Sequence, residues 1–337
     1  MNLISFVARA LLPVAGLCFA PTLAVAQAAA QAAAPLALVP AQRVAHAATA
    51  MLLASTRAGE RIVAVGDHGV VLLSDDGGKT FRQAKSVPVD ATLTGVSFVD
   101  AKQGWAAGQW GVILHSTDGG ETWALQRSDV SADRPLFAVQ FFDAQHGVAV
   151  GLWSLVLTTA DGGATWQTTT LPIPEGAKKA DLNLLGLFGD AKGRLYATAE
   201  KGMLLRSDDQ GKTWAYLPTG YKGSFWAGIA TPDGGLLAAG LRGSLFRSTD
   251  EGRTWGRLDS GGKSSITALA QVGKDVVAVG ADGLVLRSTD GGASFKHETR
   301  ADRLSLTSVV AAPDGHAVLF SRAGIVLDAA PAATTKP

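Results

Sequence analysis

The stretch "STDGGETW", residues 116–123, decides the fold because close copies of it recur along the chain. The starts of successive copies lie 40 to 48 residues apart. A repeat of fixed length has to be recognised before any motif within it is interpreted, because the repeat sets the architecture. The six copies begin at Ser74, Ser116, Thr159, Ser207, Ser248 and Ser288.

Each repeat contains four short apolar runs separated by Gly and Asp turns. The sixth repeat shows this clearly, with "ITALAQV", "DVVAVG", "LVLRS" and "SFKHE" in order. Runs of this length, rich in Val, Leu and Ala and bounded by turn residues, predict β-strands. A repeat of about 40 residues with four antiparallel strands is typical of a β-propeller blade.

The repeats between residues 46 and 328 predict seven blades. The last repeat, from residue 306 to 330, has three apolar runs and lacks the octapeptide. We therefore predict an all-β, seven-bladed β-propeller over residues 36–328, followed by a C-terminal tail, 329–337. We also predict that "LALV", residues 36–39, forms the outer strand of the seventh blade, because ring closure by this strand removes exposed sheet edges.

The octapeptide itself meets the requirements of a hairpin. Asp118 can accept hydrogen bonds from turn amides, and Gly119 and Gly120 allow a left-handed backbone. Thr122 and Trp123 then begin the outer strand, with the indole covering the hairpin. Six equivalent Asp turns cannot all lie at one active site, so a structural role is favoured.

The first 26 residues are typical of a secretory signal peptide. An apolar run follows Arg9, and the small residues Ala24, Val25 and Ala26 precede Gln27. An uncleaved membrane anchor is the alternative, but Pro13 and Pro21 interrupt the apolar run. We therefore expect cleavage, a flexible leader over residues 27–35, and a periplasmic protein.

Composition excludes several kinds of site. Lys and Arg number 30 and Asp and Glu 29, which removes the electrostatic attraction that dominates nucleic-acid binding. The single cysteine, Cys18, lies within the predicted signal peptide, and the six histidines show no metal-ligand spacing. The Gly pairs all lie in hairpin turns and form no phosphate-binding loop. We predict no metal, no cofactor and no nucleic-acid partner.

The turns between the second and third strands are candidates for partner binding. Topology places these seven tips on one face of the disc, together with the loops that connect blades. Tryptophan is unexpected in a turn that favours small or polar residues. The tips of adjacent blades carry Trp110 and Trp153, either as indoles packed on their own hairpins or as an aromatic patch flanked by cations. The central tip residues are His68, Trp110, Trp153, Lys201, Arg242, Asp282 and Arg322.

Three further groups of residues have both a structural and a functional interpretation. The long connection "LPIPEGAKKADLN" carries Lys178 and Lys179, either solvated or in contact with a partner. In "GYKGSFW", residues 220–226, Tyr221 and Trp226 are candidates for the same face, with core packing as the alternative for Trp226. An arginine recurs just before three of the octapeptides: Arg206, Arg247 and Arg287. This regular spacing favours a structural ladder of arginines, with the octapeptide carboxylates as candidate partners.

The octapeptide matches the Asp-box, or BNR repeat, of sialidases. Two longer segments, residues 96–123 and 139–166, resemble the photosynthesis system II assembly and stability factor family, Ycf48, or HCF136 in plants. The resemblance covers about residues 45 to 328. It implies a non-enzymatic lumenal or periplasmic protein that binds assembly intermediates of membrane proteins.

An enzyme is the second hypothesis. A sialidase needs three arginines, a Tyr beside a Glu and an F/Y-R-I-P motif, which this chain does not assemble; its tyrosines are Tyr196, Tyr216 and Tyr221. We therefore predict an exported, monomeric, non-enzymatic binding scaffold for a membrane or envelope protein, without membrane insertion after signal cleavage. A sialidase-like or glycan-binding propeller remains the alternative. The predicted partner-binding residues are Trp110, Trp153, Lys201, Arg242, Tyr221, Trp226, His68 and Arg322.

Overall fold

A computed structural model describes residues 37–326, and the predicted signal peptide, leader and C-terminal tail lie outside them. Within the described residues the chain forms seven antiparallel sheets, each built from strands that are consecutive in sequence. The seven sheets are the blades of a propeller, which confirms the predicted fold class. No helix in residues 37–326 is long and apolar enough to cross a membrane.

Blades one to six have four strands each. Blade one contains β1 (Leu52–Ala58), β2 (Arg61–Gly66), β3 (Val71–Ser74) and β4 (Arg82–Gln83); blade two β5 (Leu93–Phe98), β6 (Gly104–Gly108), β7 (Ile113–Ser116) and β8 (Ala124–Arg127); blade three β9 (Leu136–Phe141), β10 (Gly147–Gly151), β11 (Val156–Thr159) and β12 (Gln167–Thr168).

Blades four to seven continue the same order. Blade four contains β13 (Leu184–Gly189), β14 (Leu195–Ala199), β15 (Met203–Ser207) and β16 (Ala215–Pro218); blade five β17 (Phe225–Ala230), β18 (Leu236–Gly240), β19 (Leu245–Ser248) and β20 (Gly256–Arg257); blade six β21 (Ile266–Val272), β22 (Asp275–Gly280), β23 (Leu284–Ser288) and β24 (Lys296–Thr299); blade seven β25 (Leu306–Ala311), β26 (Ala317–Ser321) and β27 (Gly324–Val326). Short 3-10 turns span Ala47–Thr49, Asp67–Gly69, Gln109–Gly111, Leu152–Ser154, Leu241–Gly243 and Ala281–Gly283.

The apolar cores lie between adjacent blades, and this explains the sequence of the second strands. Every residue of β6 and β10 is buried, as a continuous apolar run predicts for a strand covered on both faces. The second strands of blades one, two, three, five and six each end at a glycine, because the neighbouring backbone lies too close for a side chain. In β2, for example, a Cβ on Gly66 would lie 1.9 Å from the carbonyl oxygen of Met51.

Threonines on the inner strands link neighbouring blades around the central channel. The Oγ1 of Thr94 donates to the carbonyl of Leu136 at 2.7 Å, and Thr267 donates to Leu306 at 2.9 Å. Thr307 of blade seven donates in the same way to Leu52 of blade one. The ring therefore closes through the type of contact that also joins blade two to blade three and blade six to blade seven.

The structure corrects one detail of the predicted closure. Blade seven has three strands among the described residues, and Ala37–Val39 do not belong to any sheet. Leu38 instead packs against the apolar core between blades one and two, and the amide of Ala41 donates to Val87 at 3.0 Å. Burial of Leu38 in this core holds the segment beside blade one, away from the edge of blade seven.

Candidate binding face

The tips between second and third strands share one backbone conformation in blades one to six. Their central residues have left-handed φ angles between 52° and 57°, although none is glycine. The first amide of each tip donates to the carbonyl that precedes its own blade's first strand, for example Asp67 to Met51 at 3.0 Å. The left-handed residues are His68, Trp110, Trp153, Lys201, Arg242 and Asp282.

The tips lie against the loops that connect successive blades. A Cβ on Gly69 would lie 2.0 Å from the carbonyl oxygen of Val89, and one on Gly202 would lie 1.9 Å from that of Tyr221. Tips and connecting loops therefore occupy one face of the disc, as the topology predicts. We call this surface the tip face.

The octapeptides form hairpins on the opposite side. Asp118 accepts hydrogen bonds from the Thr122 amide at 2.9 Å and the Thr122 hydroxyl at 2.6 Å, and the buried Ser116 hydroxyl donates to it at 2.9 Å. The indole of Trp123 donates to the Gly120 carbonyl at 2.9 Å. These contacts confirm that the octapeptide fastens a hairpin.

The two tip tryptophans have different environments. Trp110 is half-buried and packs against the core between blades one and two. Trp153 is 57% exposed, and its amide donates to the side chain of Asn183 at 3.0 Å. Only Trp153 of the pair therefore presents most of its indole to solvent.

Four of the predicted partner-binding tip residues besides Trp153 are exposed: His68, Lys201, Arg242 and Arg322. Arg322 differs from the others in register, because its amide donates to Ser305 as the amide of Asp67 donates to Met51. Arg322 is therefore the first residue of its turn, and this turn is one residue shorter than that of blade one, because Ser321 pairs with Gly324 whereas Gly66 pairs with Val70. The sequence comparison placed Arg322 one position too far along the turn.

Tyr221 and Trp226 lie in different places. Tyr221 donates its hydroxyl to the Leu241 carbonyl at 2.9 Å and packs its ring against Phe225 and Phe246. Trp226, on the inner strand β17, lines the central channel and is half-buried. Its neighbour Phe225 is fully buried in the core.

A groove of about 810 Å³ opens beside the tip of blade five. None of its lining residues is acidic, and its four cations make no ion pair with any residue in the described range. Lysine and arginine are both charged at neutral pH, so the groove is strongly positive although the chain is almost neutral. We call it the cationic groove; its lining is Tyr221, Lys222, Gly223, Leu241, Arg242, Arg257, Gly262 and Lys263.

Arg242 and Tyr221 were predicted for this face, whereas three cations of the groove were missed. Lys222 stands in the "GYKGSFW" segment, Arg257 ends strand β20, and Lys263 stands in the connection that follows this strand. The available signal was a pair of cationic connections on either side of a cationic tip. Lys201 lies outside the lining, but the amide of Gly202 donates to Gly223 at 2.6 Å and joins the tip of blade four to the connection that lines the groove.

The predicted arginine ladder is only partly paired with box carboxylates. Arg206 contacts Asp208 of its own box at 2.8 Å. Arg247 pairs instead with Asp233 of the preceding turn at 2.6 Å, and the nearest carboxylate to Arg287 is Glu298 at 3.8 Å. The long loop gives one further pair, Lys179 with Asp181 at 3.4 Å. Residues 37–326 contain no group of three potential metal ligands.

The repeated hairpins and the seven sheets define a class, the Asp-box β-propeller. The sequence profile of the photosynthesis system II assembly factor YCF48 family matches residues 40–117 and 124–223, and that of the BNR/Asp-box repeat matches residues 114–125. The chain belongs to the photosynthesis system II assembly factor YCF48 family.

Solved structures with this fold include two YCF48 proteins. A YCF48 bound to D1 peptide has 20% identity and a TM-score of 0.68, and the match covers 85% of this chain and 94% of that one. YCF48 from Cyanidioschyzon merolae has 18% identity and a TM-score of 0.65, with 82% and 94% covered. No curated protein matches the sequence significantly.

A glycosidase shares the fold as well. The GH74 xyloglucanase from Xanthomonas campestris has 16% identity and a TM-score of 0.63, and the match covers 86% of this chain and 53% of the xyloglucanase. At 16% identity this similarity shows a shared fold and does not bear on activity.

Proposed function

We propose that this protein is an exported, non-enzymatic scaffold that binds an extended acidic segment of a membrane or envelope protein at its tip face. The observation that carries the proposal is the cationic groove, where four cations converge without acidic partners. Concentrated charge of one sign in a concave surface attracts ligands of the opposite sign and orients them. An extended peptide with carboxylates fits both the charge and the open form of the groove.

Family membership supports this proposal. A YCF48 protein has been solved with a D1 peptide bound, which shows that a propeller of this family can hold a peptide. The exposed Trp153 on the same face offers an additional apolar contact, and exposed aromatics are frequent anchors of interfaces. Both observations support a protein segment as the partner of this chain.

The carboxylates of the boxes support a role without catalysis. Hydrogen bonds from the Thr254 hydroxyl and amide lower the pKa of Asp250 to about 2, and those from Thr165 lower the pKa of Asp161 to about 2. Such groups stay ionised at neutral pH and cannot donate a proton as a general acid. Their hydrogen bonds are already used within the hairpins.

The predicted signal peptide supports a periplasmic location. This location gives the tip face access to the exposed segments of inner-membrane proteins. The proposal therefore concerns a protein that meets its partner at the outer surface of the inner membrane.

The test compares two matched charge reversals. We expect that Arg242→Glu with Arg257→Glu abolishes co-purification of a crosslinked membrane or envelope protein, because the groove then repels acidic segments. The control is Lys212→Glu with Arg253→Glu, which reverses two exposed cations beside the boxes. Equal recovery of partner by both variants would contradict the proposal. Retention of the wild-type chain on a polysaccharide column, with no protein partner, would favour the glycan-binding alternative.

A further inference from the structure

The inner strand of every blade has a β-bulge at its tip-face end. In blade three, Leu136 pairs with Gly151 and Ala138 with Val150, so Phe137 between them is the extra residue of the bulge. Gly151 directly precedes the tip of its blade, which places the bulge beside the tip face. The seven bulge residues are half-buried and line the central channel, and we call them the mouth ring: Leu53, Thr94, Phe137, Leu185, Trp226, Thr267 and Thr307.

The mouth ring has a polar and an apolar side. Its three threonines donate their hydroxyls to the next blade, as Thr94 does to the Leu136 carbonyl at 2.7 Å, so these donors are already used. Three consecutive blades, three to five, instead place Phe137, Leu185 and Trp226 in the ring. We call these three side chains the apolar arc. Blade five therefore contributes both to the apolar arc and to the cationic groove.

Behind the mouth ring the channel wall has small side chains. The residue after each bulge is Gly, Ala or Ser, and a Cβ on Gly95 would lie 3.0 Å from the Cα of Ala138 in the next blade. The space that remains is about 270 Å³, more than the roughly 150 Å³ of a cavity that holds benzene. None of the described residues that line it is charged. The inner strands are sheet edges, so their backbone groups that do not pair with the second strand face this space.

The channel mouth lies close to the cationic groove along the chain. Gly223 lines the groove and Trp226 belongs to the mouth ring, and three residues span at most about 10 Å. Tyr221 holds this connection in place, because its hydroxyl donates to the Leu241 carbonyl at 2.9 Å and its ring packs against Phe225. A segment bound in the groove therefore reaches the mouth with a side chain about three to four residues from its carboxylates.

We propose that the mouth of the central channel binds a tyrosine side chain of the partner segment whose carboxylates lie in the cationic groove. The ring of this tyrosine contacts the apolar arc, where aromatic pairs add to the effect of burial. Its hydroxyl both donates and accepts, so it satisfies either kind of backbone group along the channel. Phenylalanine lacks this hydroxyl, tryptophan only donates, and a charged side chain finds no opposite charge in the lining. This inference rests on the proposed function and adds a second requirement to the partner's sequence.

Peptide titrations test the requirement for tyrosine. The probes are fluorescein-labelled peptides with a run of aspartates and a tyrosine about four residues away, in both chain orders. In fluorescence anisotropy, we expect the better of the two to bind the mature chain at least about tenfold more tightly than the same peptide with alanine for tyrosine. The peptide with phenylalanine should have an intermediate affinity. Equal affinity of the tyrosine and alanine peptides, or tighter binding of the phenylalanine peptide, would overturn the inference.

Variants of the apolar arc test the location. Trp226→Ala and Leu185→Ala should each weaken binding of the tyrosine peptide at least about fivefold and leave that of the alanine peptide unchanged. The control is Leu125→Ala on β8, an exposed position that should change neither. Thermal unfolding shows that each variant is folded. Equal weakening of both peptides by the two arc variants would contradict a tyrosine site in the channel.

Two further measurements separate this site from the cationic groove. Arg242→Glu with Arg257→Glu should abolish binding of every aspartate peptide; if it does not, the proposed function fails, whereas loss of the tyrosine effect alone refutes only this inference. A photoreactive azidophenylalanine in place of the tyrosine should label Leu184–Gly189 or Phe225–Ala230 on the inner strands. Labels confined to the tips and connecting loops, or binding of the tyrosine peptide only after deletion of residues 327–337, would overturn the inference.

Discussion

Replacement of Asp118 by alanine tests the structural role of the octapeptide. The change removes the acceptor for the Thr122 amide and hydroxyl and for the Ser116 hydroxyl. Thr122 is exposed and water can replace its partner, but Ser116 is only 1% exposed. One buried hydroxyl without an acceptor costs about 1 to 3 kcal/mol.

For a domain of this size, that loss corresponds to a melting temperature lower by roughly 2 to 8 °C. The assay is thermal unfolding followed by circular dichroism, with Asp118→Asn as the control. Asparagine keeps one carbonyl oxygen for Ser116 and the Thr122 amide, so its loss of stability should be less than half as large. An unchanged melting temperature for Asp118→Ala would refute the reasoning. Loss of partner binding by a fully folded Asp118→Ala protein would show that the boxes have a functional role.

Three other predictions concern pH, the tip tryptophans and export. Hydrogen bonds from Thr80 lower the pKa of Asp76 from its ordinary value of 3.8 to about 2. The stabilisation by the boxes is therefore present above pH 4 and is lost as the pH falls towards 2, and a melting temperature that stays constant between pH 5 and pH 2 would contradict this. Trp153→Ala should change the free energy of unfolding by less than about 0.5 kcal/mol, because its indole is mostly exposed. Trp110→Ala should lower the free energy of unfolding by about 2 kcal/mol, because its half-buried indole contacts the core. Denaturant unfolding measures both values, and equal losses in the two variants would contradict the prediction. Mass spectrometry of the exported protein should find Gln27 at its N-terminus, and an intact Met1 in the envelope fraction would exclude the predicted cleavage.

Most of the fold could be predicted because the information is local and repeated. The turn residues Asp118, Gly119 and Gly120 fix one hairpin, and the same chemistry recurs in five other blades. The position of the tips followed from topology alone. The outer strand of blade seven could not be predicted in this way, because Leu38 finds its burial in a core formed by blades one and two.

The candidate site was predicted only in part, since side-chain burial depends on neighbouring loops. Trp110 and Trp153 have equivalent backbone positions, but only Trp110 packs against an adjacent core. The cationic groove combines Arg242 with Arg257 of strand β20 and with lysines from two separate connections, and their convergence is a tertiary property. Arg242 therefore indicated where the groove lies, but not that three further cations line it.

Photo-crosslinking in intact cells tests the central claim most directly. A photoreactive residue is placed at Lys222 or Lys263 in the cationic groove, and at Lys212 or Arg253 beside the boxes as controls. We expect ultraviolet light to join the groove positions, and not the control positions, to an envelope or inner-membrane protein identified by mass spectrometry. Crosslinks to such a protein from the box side alone, or equal crosslinking from both sides, would contradict the assignment of partner binding to the tip face.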